Sequence, residues 1–572
     1  MFDILRDSTL GQLINYFSRG RLLPYADQRP GYILPARYTP RRTLESTTTL
    51  ALHNGNEEHA EEAENVLPPL TPFRSRPAAD FPHISRQSSR ALSLIESRGI
   101  AQGGKEEEYR WLVTFEEVDS DDPRQWSRNK RVFIAGMICL LTFSVYLGSA
   151  IYVASIPGVV AEFHVSRVVA TLGLSLFVCP YGIGPMLLSP LQETAILGRN
   201  PVYVFSLALF VIFQLPCIFA PNIGTILIFR FLAGFVGSPA LATGGATIAD
   251  LFPPKALPAG IGAWAMGAVC GPVFGPVVGG FAAQANGWKW PFWELFWLSA
   301  FTWIFIFLLL PETLADTILL RRAKRLRKLT GNELLKAPAE LMNGDTGLGD
   351  IMYEYIVRTF QLCLEPAIFL AHCYISLVYA ILYTFFESFF ITFNEIHGFS
   401  LGVGGLPYLS FIVGAIITFP LYILYQKKRI EPMMGKSKFT PEIRLEVALI
   451  GSFFIPVSLF LFGWSARESV HWIVPCVGAA LYLPGIYLSF QGIFLYVIVG
   501  YSRVAASVLA GNDFMRSCFA SAFPRFGVAM FRALGLGGGC SLLAGVSMLM
   551  IPAIWALKRY GGVLRRRSKW TE

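Results

Sequence analysis

The chain has 572 residues, of which 53% are hydrophobic and 15% charged, with a formal net charge of +9. That apolar fraction is the profile of a membrane protein and excludes an ordinary soluble enzyme. The positive charge does not point to nucleic acid, because the basic residues gather in loops on one side of the apolar segments, the bias of cytoplasmic loops.

Windowed hydropathy gives about twelve spans, near residues 132–156, 168–190, 202–220, 223–246, 258–283, 292–311, 366–393, 403–425, 445–464, 472–498, 504–528 and 537–557. The expectation is an all-α, multi-pass membrane protein. Arg128, Lys130, Arg131, Arg199, Lys255, the run Arg321 to Lys328, Lys427 to Arg429, Lys436, Lys438 and Arg565 to Arg567 alternate with basic-poor loops. This places both termini in the cytoplasm. The start of the chain lacks the apolar core of a cleavable signal peptide. Nine cysteines (Cys139, Cys179, Cys217, Cys270, Cys363, Cys373, Cys476, Cys518, Cys540) fall in or beside the spans with no CxxC pair. Neither a disulfide framework nor zinc is expected. The seven histidines show no nucleophile–base spacing, so neither an enzyme nor a cofactor is expected.

In chain order, residues 1–128 read as a cytoplasmic tail. Asp3 to Arg21 has a short amphipathic pattern that fits the membrane surface, a docked segment or an inconsequential frayed helix. Thr43 to Lys105, rich in Glu, Ser, Pro and Ala, has the composition of disorder. Before the first span, DDPRQWSRNKR (Asp121 to Arg131) offers Trp126 as an interfacial anchor. Between the second and third spans, SPLQETAILGRNPVY contains Glu193, Gly198 and Arg199. The fourth span carries Arg230 in RFLAGFVGSP. A charge at membrane depth costs about 2.5 kcal/mol or more, so Arg230 should face a cavity or a partner, either as a structural ion pair or in proton transfer.

The fifth span holds AWAMGAVCGPVFGPVVGGF (Ala263 to Phe281). Gly267, Gly271, Gly275 and Gly279 recur every fourth residue and line one face, where a neighbouring backbone can approach; Gly280 follows. Pro272 and Pro276 each remove a backbone donor and should bend the helix. The sixth span ends in Pro311, Glu312 and Thr313 and leads to LADTILLRRAKRLRKLTGNE, whose arginines and lysines suit anionic lipid.

After the central loop a second set of about six spans begins. In the seventh, Tyr379, Tyr383 and Glu387 stand at i, i+4 and i+8 on one face. They read as a cavity lining in which Glu387 carries a proton or meets a cationic substrate; an interfacial acid is the alternative. PEIRLEVALIGSFFIPVSLFLFGW brings Glu442 and Arg444 before the ninth span. The eleventh span holds Asn512, Asp513 and Arg516, with Asp513 and Arg516 one turn apart, as a mutual pair or as substrate or proton contacts.

Several of these stretches resemble the major facilitator superfamily, and within it the fungal drug:proton antiporters of the multidrug, benomyl and fluconazole resistance type. GPVFGPVVGG is similar to the antiporter signature of the fifth helix, and RFLAGFVGSP resembles the fourth-helix motif whose arginine is associated with proton coupling. The Asp-Pro-x-x-Trp-Ser box at Asp122 to Ser127 and the FLLLPET run are similar to the fungal branch. The second-to-third loop resembles the signature in which an acid and basic residues clamp helix ends, with Glu193 in place of the usual Asp. PEIRLEV resembles its counterpart between the eighth and ninth helices.

The resemblance implies a major facilitator fold of two six-helix halves. The organisation would be a tail over 1–128, a first half over 129–311, a central cytoplasmic loop over 312–365, a second half over 366–557 and a basic tail over 558–572. It further implies a monomeric plasma-membrane exporter that exchanges protons for amphipathic organic compounds, within the lipid bilayer and without nucleic acid. Arg230, Glu387 and Asp513 are the proton-coupling candidates, and Tyr379, Tyr383, Glu387 and Asn512 the substrate-cavity candidates. A dedicated exporter of a secondary metabolite or mycotoxin, a facilitator importing polyamines or sugars, and a non-transporting sensor remain as alternatives.

Overall fold

The computed structural model describes residues 2–18, 21–29, 32, 38, 111–116, 118–253, 256–343, 348–433, 440–501 and 504–570. The expectation of disorder over Thr43 to Lys105 lies outside them. Among the described residues, eleven helical segments are long and apolar enough to cross a membrane: Arg128–Phe163, Arg167–Glu193, Arg199–Ile218, Ile223–Leu251, Leu257–Asn286, Trp290–Leu309, Pro366–Ile396, Val403–Met433, Pro441–Ser465, Ile473–Gly500 and Pro524–Arg567. The less apolar helix Ala505–Ala522, which carries Asn512, Asp513 and Arg516, precedes the last of these. Gly535, at φ 69°, divides Pro524–Arg567, so its first part completes the eleventh pass and the rest forms the twelfth. The protein is an all-α membrane protein.

Side chains set several helix starts. Ser127 accepts from Lys130 N at 3.4 Å, Ser166 from Val169 N at 3.3 Å and Asn222 from Thr225 N at 2.9 Å, opening the first, second and fourth membrane helices. The third starts differently, after Gly198 at φ 79°, which offers no capping side chain. The Glu312 carboxylate supplies the cap from a distance, accepting from Arg199 N at 3.1 Å and Asn200 N at 3.3 Å. This gives the Pro-Glu-Thr run a structural task. The seventh helix ends in a π-helical stretch, Phe390–Ile396, a form often found where helices must yield.

Two compact units are present. The larger contains Met1–Thr9, Ser127–Thr313 and Thr346–Glu572, hence all the membrane helices and the first turns of the amino terminus. The Asp7 carbonyl accepts from Glu312 N at 3.3 Å, and Thr9 Oγ1 donates to Asn200 Oδ1 at 3.0 Å. The start of the amphipathic segment is therefore docked, whereas Tyr16 and Phe17 farther along are exposed.

The smaller unit contains Leu10–Trp126 and Leu314–Asp345. Within it, three arginines of the basic helix Ala315–Thr330 pair with acids of the same unit. Arg322 pairs with Asp119, Arg325 Nε donates to both Asp27 oxygens at 3.1 and 2.8 Å while stacking 3.9 Å over Tyr25, and Arg327 reaches Glu340 at 2.7 Å. Burial works against the Arg322 charge, but Asp119 outweighs it and holds its pKa above the usual arginine value. Two of these acids, Asp27 and Asp119, are distant in sequence, so the basic run alone does not reveal them. Lys324 and Lys328 do stay exposed. Trp126 is buried, and its indole donates to the Ser120 carbonyl at 2.9 Å.

Candidate functional site

The glycine face of the fifth helix packs on the first. A Cβ on Gly271 would lie 2.6 Å from Tyr146 Cβ, on Gly275 2.7 Å from Ile151 N, and on Gly279 2.8 Å from the Ile151 carbonyl. Gly267 is looser, at 3.3 Å from the Cys139 carbonyl. Backbone therefore touches backbone along this seam, an approach that side chains would block. The helix continues through Pro272 and Pro276. An adjoining face meets the second half: a Cβ on Gly280 would lie 2.7 Å from the Leu401 carbonyl, and one on Gly405 2.6 Å from the Pro276 carbonyl.

Arg230 is fully buried, at 0% exposure. Its Nη1 donates to the Gly148 carbonyl at 2.7 Å, Nε to the Gly173 carbonyl at 3.1 Å and Nη2 to the Ser149 carbonyl at 3.5 Å. Phe177 and Tyr152 flank it, their ring centroids 3.9 and 4.8 Å from the guanidinium carbon. Among the described residues no acidic side chain pairs with it. Carbonyls and aromatic faces replace a counter-ion, as guanidinium chemistry allows.

A polar chain leads from this charge into the second half. Tyr383 donates to Ser149 Oγ at 3.3 Å, and the Tyr379 and Tyr383 hydroxyls lie 3.4 Å apart. Tyr379 stacks 4.6 Å from the Arg516 guanidinium, which donates to Asp513 at 2.6 Å. Tyr146 lies beside Tyr379 and Arg516. The structure thus brings together Arg230, Tyr383, Tyr379 and Asp513. Asn512 is 2% exposed, and among the described residues no hydrogen bond reaches its amide.

Glu387 stands apart. It is 5% exposed, lies near Tyr408, and has Arg167 as a neighbouring charge. The sequence reading missed Ser149 and Tyr146, since the first span has no charge or motif to single them out. A signal existed only in Gly148 and Ser149, small residues at the depth of Arg230.

The loop signature is also rearranged. Arg199 Nε donates to Asp250 at 2.6 Å, so the fourth helix supplies the clamping acid. Glu193 is half-buried close by without a direct bond to Arg199. Glu442 and Arg444 are likewise engaged, with Arg565 at 3.1 Å and Gln426 at 2.7 Å.

Twelve membrane passes with a polar chain joining the two halves define a membrane transporter. The chain belongs to the major facilitator superfamily: the family model described as Major Facilitator Superfamily matches residues 138–524. It is similar to Transporter mfs1 of Schizosaccharomyces pombe, 41% identical over 80% of this chain and 88% of that protein. Fluconazole resistance protein 1 of Saccharomyces cerevisiae is 39% identical over 79% of this chain and 84% of its own. The fold is shared with the partially occluded inward-open xylose transporter XylE from E. coli, at a TM-score of 0.51 and 14% identity, over 74% of this chain and 98% of that one.

Proposed function

We propose that this protein is a proton-driven exporter of amphipathic organic compounds, working at the plasma membrane with both termini in the cytoplasm. Its drug-resistance relatives support export. The observation that carries the coupling is Arg230, a buried charge held only by carbonyls and rings and linked through Ser149 to Tyr383 and Tyr379. Arg230 acts as a fixed positive charge, while Asp513 and Glu387 are the groups able to take up a proton. Protonating Asp513 neutralises the acid that Arg516 grips and frees the guanidinium to rearrange against Tyr379. Protonating Glu387 removes a negative charge from the aromatic wall around Tyr408. The aromatic walls accept varied apolar shapes, and Tyr379, Tyr383 and Asn512 offer polar contacts.

Each proton moving inward supplies about 2.3 kcal/mol per 100 mV, which drives the substrate the other way. The test uses the full chain in proteoliposomes with a fluorescent lipophilic cation. An imposed pH gradient should drive its accumulation, and a protonophore should abolish it. Transport indifferent to the gradient would overturn the antiport reading.

A further inference from the structure

At the end of the helix bundle away from Arg199, the two halves meet across a small charged cluster. Arg167 opens the second helix, in the first half. Glu395 lies in the π-helical end of the seventh helix, and Arg532 lies just before the Gly535 break; both belong to the second half. The Glu395 carboxylate stands 3.9 Å from Arg167 Nη1 and 3.6 Å from Arg532 Nη2. Arg167 also stacks 4.9 Å from the Phe390 ring centroid, at the start of the same π-helical stretch. Beside this cluster the halves share a hydrogen bond, from Gly402 N of the second half to Gln284 Oε1 of the first, at 2.8 Å.

We infer that Glu395 is a positioning residue for alternating access, a latch handed between Arg167 when this end is closed and Arg532 when it opens. The reason is topological. Arg532 travels with Glu395 because both sit in the second half, whereas Arg167 departs with the first. A carboxylate with a single partner would be stranded when the halves part. With Arg532 already at 3.6 Å the carboxylate stays paired, so opening forfeits only part of its electrostatic stabilisation. The three side chains are partly exposed, so each pair is weak and suited to a contact that must break every cycle. The π-helical stretch supplies the compliant backbone between the latch and Glu387. The exporter reading enters only in naming this end the outer mouth.

The two arginines must therefore act with opposite sign on the same carboxylate. The Gly402 amide reports opening directly, because its bond crosses the halves and its hydrogen exchange follows the open population. Exchange is measured on the full chain in lipid nanodiscs, without substrate. Arg167→Gln should raise Gly402 exchange about fivefold, near the upper end for an exposed pair. Arg532→Gln should lower it about two- to threefold, because Glu395 then has Arg167 as its only strong partner. In a Glu395→Gln background, Arg532→Gln should alter exchange no further, and Arg167→Gln only by what its stack on Phe390 contributes. Shifts of the same sign, no shift, or an Arg532 effect that persists in the Glu395→Gln background would overturn the latch. Since exchange needs neither protons nor substrate, that failure is distinct from a failure of the proteoliposome test.

Discussion

The two six-helix halves each bury an arginine among their membrane helices, and they accommodate it differently. In the first half, Arg230 is held by the Gly148, Ser149 and Gly173 carbonyls and two aromatic rings. In the second, Arg516 is held by Asp513 at 2.6 Å, one turn away on the same helix. A guanidinium held by backbone carbonyls has partners that do not titrate. One held by a carboxylate is tied to a group that does. On the proton-driven reading proposed above, the first half supplies the constant charge and the second the group that changes.

The largest expected effect tests the constant. Arg230→Ala should reduce gradient-driven transport about 100-fold or more, the equivalent of about 2.7 kcal/mol, while the protein still inserts and runs as a monodisperse peak in detergent. Arg230→Lys should rescue only partly, because an ammonium cannot reach all three carbonyls at once. Transport by Arg230→Ala at the normal rate would dissolve the contrast between the halves.

The second prediction tests the variable. Asp513→Asn strands the Arg516 charge and should lower stability by about 3–5 kcal/mol, read as a fall in apparent Tm. Adding Arg516→Gln should restore much of it, because no uncompensated charge remains. If the single change were nearly silent, the rings of Tyr379 and Phe490 would suffice for Arg516, and the two halves would be alike.

What was legible in the sequence follows the same line between local and distant partners. The Asp513–Arg516 pair could be read from a spacing of three residues, and the glycine face of the fifth helix from a spacing of four. The first helix as its neighbour could not, because Tyr146, Leu147 and Ile151 carry no pattern that announces a glycine partner. Trp126 has the composition of an interfacial anchor, yet its indole bonds to Ser120 inside the smaller unit. The arginine partners of the basic helix after the sixth span were hidden for a similar reason: Asp27 and Asp119 lie about 200 to 300 residues away in the chain. Arg199 lies near Glu193 but bonds Asp250 of the fourth helix, an acid outside its loop. A side chain's type states what it needs, and the fold decides which of several candidates provides it.

The third prediction asks whether the first half must also slide. Gly275→Leu would force a side chain to within about 2.7 Å of Ile151 N, an overpacking worth about 1–3 kcal/mol. Export should stop, with a smaller loss of Tm than in Asp513→Asn. Gly136→Ala on the first helix is the matched control, since a Cβ there would meet nothing within 4 Å, and it should leave both readouts unchanged.

The smallest effect is expected at Glu387, and it discriminates between the two acids. Glu387 lies off the chain that joins Arg230 to Arg516, so its loss should disturb neither arginine. Glu387→Gln keeps the shape and fixes the neutral form, so stability should change by less than about 1 kcal/mol. If Glu387 exchanges protons during the cycle, transport measured from acid to alkaline pH should flatten in the variant, with preference for cationic over neutral probes reduced. An unchanged profile would leave Asp513 as the proton carrier, and the contrast between a constant first half and a variable second would then rest on one carboxylate, the one Arg516 holds.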